Sequence, residues 1–257
     1  MTVTDFPRIF GFVEKTGKAP RFPLGFGDAA NRPLRRAGTS AHVTQRANRR
    51  QRVFFSNADY RLYRDLLRDG CAACGTEIWA WCLMPNHVHL VLVPAVEDGL
   101  RLALAKLHWR YAGHVNAREG WRGHLWQSRF ASFPMDEAHL HACVRYVELN
   151  PVRAGLTTRA EDWPWSSART HLGLARDGLT APGPMKVRID DWQAYLGLGL
   201  ADAEGEAIRS AERTCRPLGS NAFLDRIGAA TGRDPRPPRR GRPRSEISDS
   251  HGFSEKA

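Results

Sequence analysis

Two apolar runs, Glu77-Ile78-Trp79-Ala80-Trp81-Cys82-Leu83-Met84 and His87-Val88-His89-Leu90-Val91-Leu92-Val93, are separated only by Pro85-Asn86. No other stretch restricts the fold as much. Pro fixes its own φ and Asn tolerates turn geometry, so the pair reads as a tight turn. The flanking runs, rich in β-branched and aromatic residues, then form an antiparallel hairpin. A strand repeats every two residues, which sends Val88, Leu90 and Leu92 to one face and His87 and His89 to the other. The first face belongs in a core. The second offers two imidazoles to one metal ion, or else carries two ordinary packed or surface histidines.

Periodicity sets the elements around this hairpin. Ser40-Ala41-His42-Val43-Thr44-Gln45 reads as a first strand. Ser56, with Asp59 three residues on, opens a helix whose apolar stripe is Tyr60, Tyr63, Leu66 and Leu67, and Gly70 is expected to end it. Leu100, Leu104, Leu107 and Tyr111 mark a second helix, and His124–Phe130 is expected to be a fourth strand. The order β-α-β-β-α-β predicts an α+β fold, ferredoxin-like, with both helices on one face of an antiparallel sheet. The histidine strand is then central, with its imidazoles on the opposite face. Asp136-Glu137 opens a further helix that covers this face, with Leu140, Val144 and Val147 as its core stripe. Asn150-Pro151 is expected to stop it, because the residue before Pro avoids helical backbone. Tyr146 and Asn150, four apart, share one flank of its end.

The charge balance bears on partners. Lys+Arg is 38 against Asp+Glu 27, giving a net charge of +11 and a pI of about 10.0. Such a chain favours a polyanion. Most cations are arginines, suited to bidentate phosphate contact. Arg46, Arg49, Arg50 and Arg52 cluster in one loop as a candidate phosphate patch, or as a plain solvated loop. No apolar run is long enough to span a membrane, and no secretory signal is visible at Met1-Thr2-Val3-Thr4. The five cysteines, an odd number, suggest free thiols in a reducing, cytoplasmic setting. Cys71-Ala72-Ala73-Cys74 has no second C-x-x-C to complete a zinc site and reads as packing.

The histidine pair, a distant tyrosine and an amide make a more specific set together than apart. The hydrolases that carry H-x-H-x-H need a third histidine where this chain has Val91. His87-Val88-His89 with Tyr146-x-x-x-Asn150 instead resembles the HUH single-tyrosine transposases. The surrounding text is similar to the REP-associated tyrosine transposases: Ala41-His42-Val43-Thr44-Gln45-Arg46, Met84-Pro85-Asn86-His87-Val88-His89, Trp126-Gln127-Ser128-Arg129-Phe130, Tyr146-Val147-Glu148-Leu149-Asn150-Pro151-Val152-Arg153-Ala154-Gly155 and Trp163-Pro164-Trp165-Ser166-Ser167-Ala168. The resemblance covers about residues 39–175.

That resemblance implies an enzyme acting on single-stranded DNA that folds into hairpins. It implies Tyr146 as nucleophile, forming a 5′-phosphotyrosine link that can rejoin strands without ATP. It implies His87 and His89 as ligands of Mg²⁺ or Mn²⁺, with Asn150 as third ligand where the family often has Gln. Arg129, Arg145 and Arg153 join the loop arginines as candidate DNA contacts. Trp126 is either a stacking platform for an unpaired base or core packing.

Around this unit, residues 1–38 read as a basic, loosely ordered lead-in, and 176–257 as a DNA-binding or flexible basic extension. Within the extension, Asp191–Leu196 and Ala222–Ile227 are expected to be short helices. Arg240-Gly241-Arg242-Pro243 resembles an AT-hook, or is a generic basic tail. Two other functions compete with the transposase. One is a domesticated protein that binds hairpin DNA without cutting. The other is a zinc-stabilised RNA-binding module resting on Cys71 and Cys74. No dimer helix is legible, and the chain reads as a monomer or a homodimer.

Overall fold

A computed structural model describes residues 37–237 of the chain. The lead-in through residue 36, and Arg240 and Arg242, lie outside the described residues. The elements run β1 (Ala41–Arg46), α1 (Asn57–Ala72), β2 (Glu77–Met84), β3 (His87–Val93), α2 (Gly99–Glu119), β4 (Ala131–Pro134), α3 (Glu137–Glu148), α4 (Asn150–Arg153), α5 (Ala168–His171), α6 (Pro182–Lys186), α7 (Trp192–Gly197), α8 (Asp202–Thr214) and α9 (Asn221–Thr231). The four strands form one antiparallel sheet in the order β2-β3-β1-β4. This is the ferredoxin-like arrangement expected from the order of elements.

Alternation divides the sheet into two apolar layers. Val43 of β1, Trp81 and Leu83 of β2, and Val88, Leu90 and Leu92 of β3 pack with Tyr63, Leu67, Leu104 and Tyr111 of α1 and α2. On the other face Ala80, Cys82, Val91 and Phe133 meet Leu140, Val144 and Val147 of α3. Met185, Trp192, Tyr195, Ile208 and Ala211 of α6, α7 and α8 join this second layer. The helices expected near Asp191 and Ala222 are α7 and α9.

Three local expectations change. Gly70 does not end α1 but lies inside it, where a Cβ would stand 2.4 Å from the Ala103 carbonyl oxygen of α2. The glycine sets how closely the two helices approach. His124–Phe130 is not the fourth strand. It touches the sheet through the single bridge Ala47–Trp126, and the paired strand begins at Ala131. The Trp126 indole is drawn inward, donating from Nε1 to the His108 carbonyl oxygen at 3.2 Å. Finally, Asn150-Pro151 does not end helical backbone. Leu149 keeps helical angles and α4 follows, with Pro151 in its first turn, where a missing N–H costs little.

Trp163–Ser167 runs along the free side of β2. Leu83 N donates to the Trp165 carbonyl oxygen at 2.8 Å, and Ser167 N to the Trp81 carbonyl oxygen at 2.9 Å. Cys71 and Cys74 are free thiols, with Cys74 Sγ turned to the Gly70 carbonyl oxygen and the Thr76 hydroxyl. No described helix is long and apolar enough to cross a membrane.

Candidate metal and tyrosine site

β1 and β3 are neighbours with Thr44 opposite His89, so His42 sits one pleat away on the same face. The His42 and His89 rings stack with centroids 5.2 Å apart, and His42 Nε2 lies 3.1 Å from His89 Nδ1. His87 stands edge-on to His89 at 4.8 Å, and its Nδ1 is 2.6 Å from the Asn86 amide oxygen. That contact fixes the Nδ1 side of His87 and leaves Nε2 outward.

Helix α3 brings Tyr146 over this face. Its ring centroid is 5.6 Å from that of His89 and 6.2 Å from that of His42. The Arg153 guanidinium lies over the tyrosine ring, 4.6 Å from its centroid. Helix α8 closes the group with Glu212, whose Oε1 is 3.5 Å from His89 Nδ1 and 3.7 Å from His42 Nδ1. Ligand atoms of His42, His89 and Glu212 all lie within 4.8 Å of one another.

Burial sets the protonation of these groups. It pushes His42 and His87 down to about 3, with Arg46 assisting at His87, and His89 well below the usual imidazole value. All three are neutral near pH 7, the form that binds metal. Burial raises the Glu212 carboxyl to about 7 against the pull of Arg46 and Arg153. It also raises the Tyr146 phenol to about 12; Glu212 adds to this, while Arg153 opposes it. His42 Nδ1 and Glu212 Oε1 are buried without a hydrogen-bond partner. The two atoms face each other at 3.7 Å, and a divalent ion bound at this face would satisfy both, so the residues present fit such an ion.

The expected residues are distributed as follows. His87, His89 and Tyr146 come together. Asn150 begins α4. Among the described histidines, cysteines and carboxylates, His42 and Glu212 stand beside His89. Arg46, Arg49, Arg50 and Gln127 line one hollow of about 490 Å³, and Arg50, Arg52, Asn86, His87 and Leu156 line a second of about 360 Å³. Arg49 and Arg50 both take positive φ, 54° and 56°, a costly backbone for side-chain-bearing residues. Arg129 and Arg153 are exposed. Arg145 instead pairs with both Glu204 oxygens at 2.8 and 2.9 Å and stacks on Tyr195. Trp126 is core, 8% exposed.

Sequence reasoning passed over His42 and Glu212. For His42 the signal was present, since it alternates on the strand next to β3. For Glu212 there was none, because it reaches the site from more than a hundred residues away.

Residues 36–150, which carry the sheet, the histidines and Tyr146, match the model of the family described as Transposase IS200 like. This stretch is similar to the IS200-like transposases. The particular resemblance is to the REP-associated tyrosine transposases. One relative of that name, from Escherichia coli, is 25% identical over 101 residues, 39% of this chain and 58% of the relative. A Haemophilus influenzae protein provisionally given the same name is 26% identical over 116 residues, 41% of this chain and 66% of the relative. The chain therefore spans less than two thirds of the length of either. A solved structure of a REP-associated tyrosine transposase bound to a REP hairpin aligns over 59% of this chain and 87% of its own, at 22% identity and a TM-score of 0.46.

Proposed function

We propose that the chain is a metal-dependent DNA strand transferase that cleaves and rejoins single-stranded hairpin DNA through a 5′-phosphotyrosine intermediate. The observation that carries this is the Tyr146 ring packed on His89, with Arg153 across its face, inside the IS200-like stretch. The unit doing the chemistry is residues 39–175, with 176–257 as an extension that supports the site and adds DNA contacts.

In the cleavage step Tyr146 Oη attacks the scissile phosphorus. The Oη–P bond forms and the P–O3′ bond breaks. The phenolic proton passes to water, and the departing 3′ oxygen takes a proton from water to become a hydroxyl. The new phosphotyrosine is again a phosphodiester, so attack by another 3′-hydroxyl reverses the step without an energy source. His87, His89 and Asn150, the ligands the resemblance implies, would hold Mg²⁺ or Mn²⁺, which when bound would supply Lewis-acid polarisation of the phosphate. Arg153 favours the anionic phenolate and offsets part of what burial costs it. The hollow that Arg50 and Arg52 share with His87, and the neighbouring one lined by Arg46, Arg49 and Arg50, suit the phosphates on either side of the cut. Arg129 extends that basic surface.

The second reading, a hairpin binder that does not cut, rests on the same arginines without the tyrosine chemistry. End-labelled hairpin oligonucleotides with Mn²⁺ separate the two. Tyr146→Phe should abolish cleavage while binding stays within about twofold, because only a hydroxyl is removed from a buried ring. Wild-type protein that binds tightly and cuts none of a hairpin library would establish the binder.

A further inference from the structure

The indole of Trp126 is turned inward, but the same segment carries another, Trp121, that stays at the surface, 39% exposed. Phe55, just before α1, is 37% exposed, and the two rings meet at a steep angle with centroids 5.9 Å apart. We propose that Trp121, buttressed by Phe55, is a platform on which an unpaired base beside the hairpin stacks, while the arginine loop grips the backbone of the same flank. This rests on the DNA partner of the reading above, not on the cutting.

Three observations carry it. The first is continuity with the arginine hollows. Asn48 N donates to the Leu125 carbonyl oxygen at 2.8 Å, and Gln127 N to the Arg46 carbonyl oxygen at 2.9 Å, so the segment that bears Trp121 runs along the arginine loop. Arg52 lines the hollow beside His87, and its Nε donates to the Phe54 carbonyl oxygen at 3.0 Å, next to Phe55 in the chain. The order is thus His87, then Arg50 and Arg52, then the two rings. The second observation is that the rings are held in place. Gly120 takes φ of 68° and ends α2, and Trp121 N donates back to the Asn116 carbonyl oxygen at 2.8 Å. An apolar residue after such a cap ordinarily rests on its own helix, whereas this one meets Phe55 of another segment. The Arg118 guanidinium lies over Phe55, 5.2 Å from its centroid. A platform ordered in advance loses little freedom when it binds.

The third is charge. Arg118 also engages Asp59 and Glu119, which offsets the repulsion these two acids would exert on a phosphate. Arg49, Arg50, Arg52 and Arg122 are exposed. Aromatic faces among cations suit single-stranded nucleic acid, because every base has a π face and every nucleotide a negative charge. A protein partner would have to bury these arginines, which favours the polyanion as the occupant.

The test is binding by the full chain in EDTA, so that no cutting intervenes, read by fluorescence anisotropy. The probes are a hairpin oligonucleotide with oligothymidine flanks and the same hairpin blunt-ended; stacking tolerates any base, so oligothymidine serves. Trp121→Ala, and Trp121→Leu, which keeps apolar bulk without a π face, should weaken the flanked hairpin at least about fivefold and the blunt one less than about twofold. Trp121→Phe should recover part of the loss, and Phe55→Ala should act in the same direction but less. The salt slope should stay as in wild type, since no cation is removed. A 2-aminopurine moved along the flank should be quenched by wild type at one position and not by Trp121→Leu. Trp109→Ala, which removes an indole of α2 that is 64% exposed, should alter neither hairpin. Thermal melts check folding, and Trp121→Leu carries the conclusion if Trp121→Ala melts early. Equal losses on the two hairpins, wild-type affinity in Trp121→Leu, no quenched position, or an equal loss in Trp109→Ala overturns the proposal. Flank-dependent binding without a covalent adduct in Mn²⁺ refutes the strand-transferase reading and keeps the platform. An adduct in Mn²⁺, with wild-type flank affinity in Trp121→Leu, does the reverse.

Discussion

Glu148, two residues after Tyr146, ties helix α3 to three segments that follow it. Its side chain has no solvent exposure. Oε1 accepts from Ser167 Oγ at 2.5 Å and lies 2.6 Å from His171 Nδ1; Oε2 accepts from Trp192 Nε1 at 2.8 Å. One carboxylate thus joins α3 to the strap along β2, to α5 and to α7. Glu148→Ala leaves Ser167, His171 and Trp192 facing a void in a layer closed to water. A single hydrogen bond to a charged group contributes about 1.5–3 kcal/mol. The three share one carboxylate and do not add, so the whole loss should be about 3–5 kcal/mol. Against a total of roughly 5–15 kcal/mol, such a variant is near the edge of folding. Trp192→Phe removes one of the three bonds and should cost about 1.5–3 kcal/mol. Urea unfolding followed by tryptophan fluorescence and by circular dichroism measures both. A Glu148→Ala loss below about 1 kcal/mol would refute the reasoning. So would full additivity of the Glu148→Gln and Trp192→Phe losses, because groups in contact must couple.

Other consequences are open to equally direct checks. Gly70→Ala should destabilise by about 1–3 kcal/mol despite better helix propensity, since the added methyl meets the Ala103 carbonyl; a stabilised variant in thermal melts would contradict the close approach of α1 and α2. Asp59 caps α1 through the Phe55 and Ser56 amides and pairs with Arg118. Burial alone would raise its carboxyl, but Arg118 and the two amides hold it below the usual carboxylate value. Its contribution is therefore full above that usual value and is lost as pH falls through the depressed one. Asp59→Asn should lie about 1–2 kcal/mol below wild type at pH 7, a gap that closes in strong acid; a gap unchanged at about pH 2 would exclude this origin. Replacing Arg46 or Arg50 by Ala should flatten the salt dependence of hairpin binding by about one unit of log–log slope for each phosphate no longer neutralised, and an unchanged slope would remove that arginine from the interface.

The sheet and one layer of its site were legible because they rest on local alternation. Val88, Leu90 and Leu92 against His87 and His89 leave little choice of face once Pro85-Asn86 turns the chain. Features set by contacts between distant elements were not. Gly70 carries the ordinary signal of a helix end, and its role depends on Ala103, which α2 brings against it. Leu125, Trp126 and Phe130 look like strand residues, yet an indole that finds a carbonyl partner beneath the sheet turns the segment inward. His42 becomes a partner of His89 only when the strand order is known. Glu212 sits on a mostly polar helix whose buried side chains Ile208 and Ala211 give it its orientation, and nothing local marks it as aimed at a histidine. Arg145 shows the converse. Its charge suggests DNA, but an acidic partner from α8, remote in sequence, engages it.

The central claim is that Tyr146 becomes bonded to DNA. Single-stranded hairpin DNA labelled on either side of the cut, incubated with the protein and Mn²⁺ and resolved on a denaturing protein gel, tests it most directly. A shifted band carrying only the label 3′ of the cut is expected, absent with EDTA and in Tyr146→Phe, with the mass of the adduct on the peptide that contains Tyr146. A band carrying the other label, or an adduct that survives Tyr146→Phe, would contradict it.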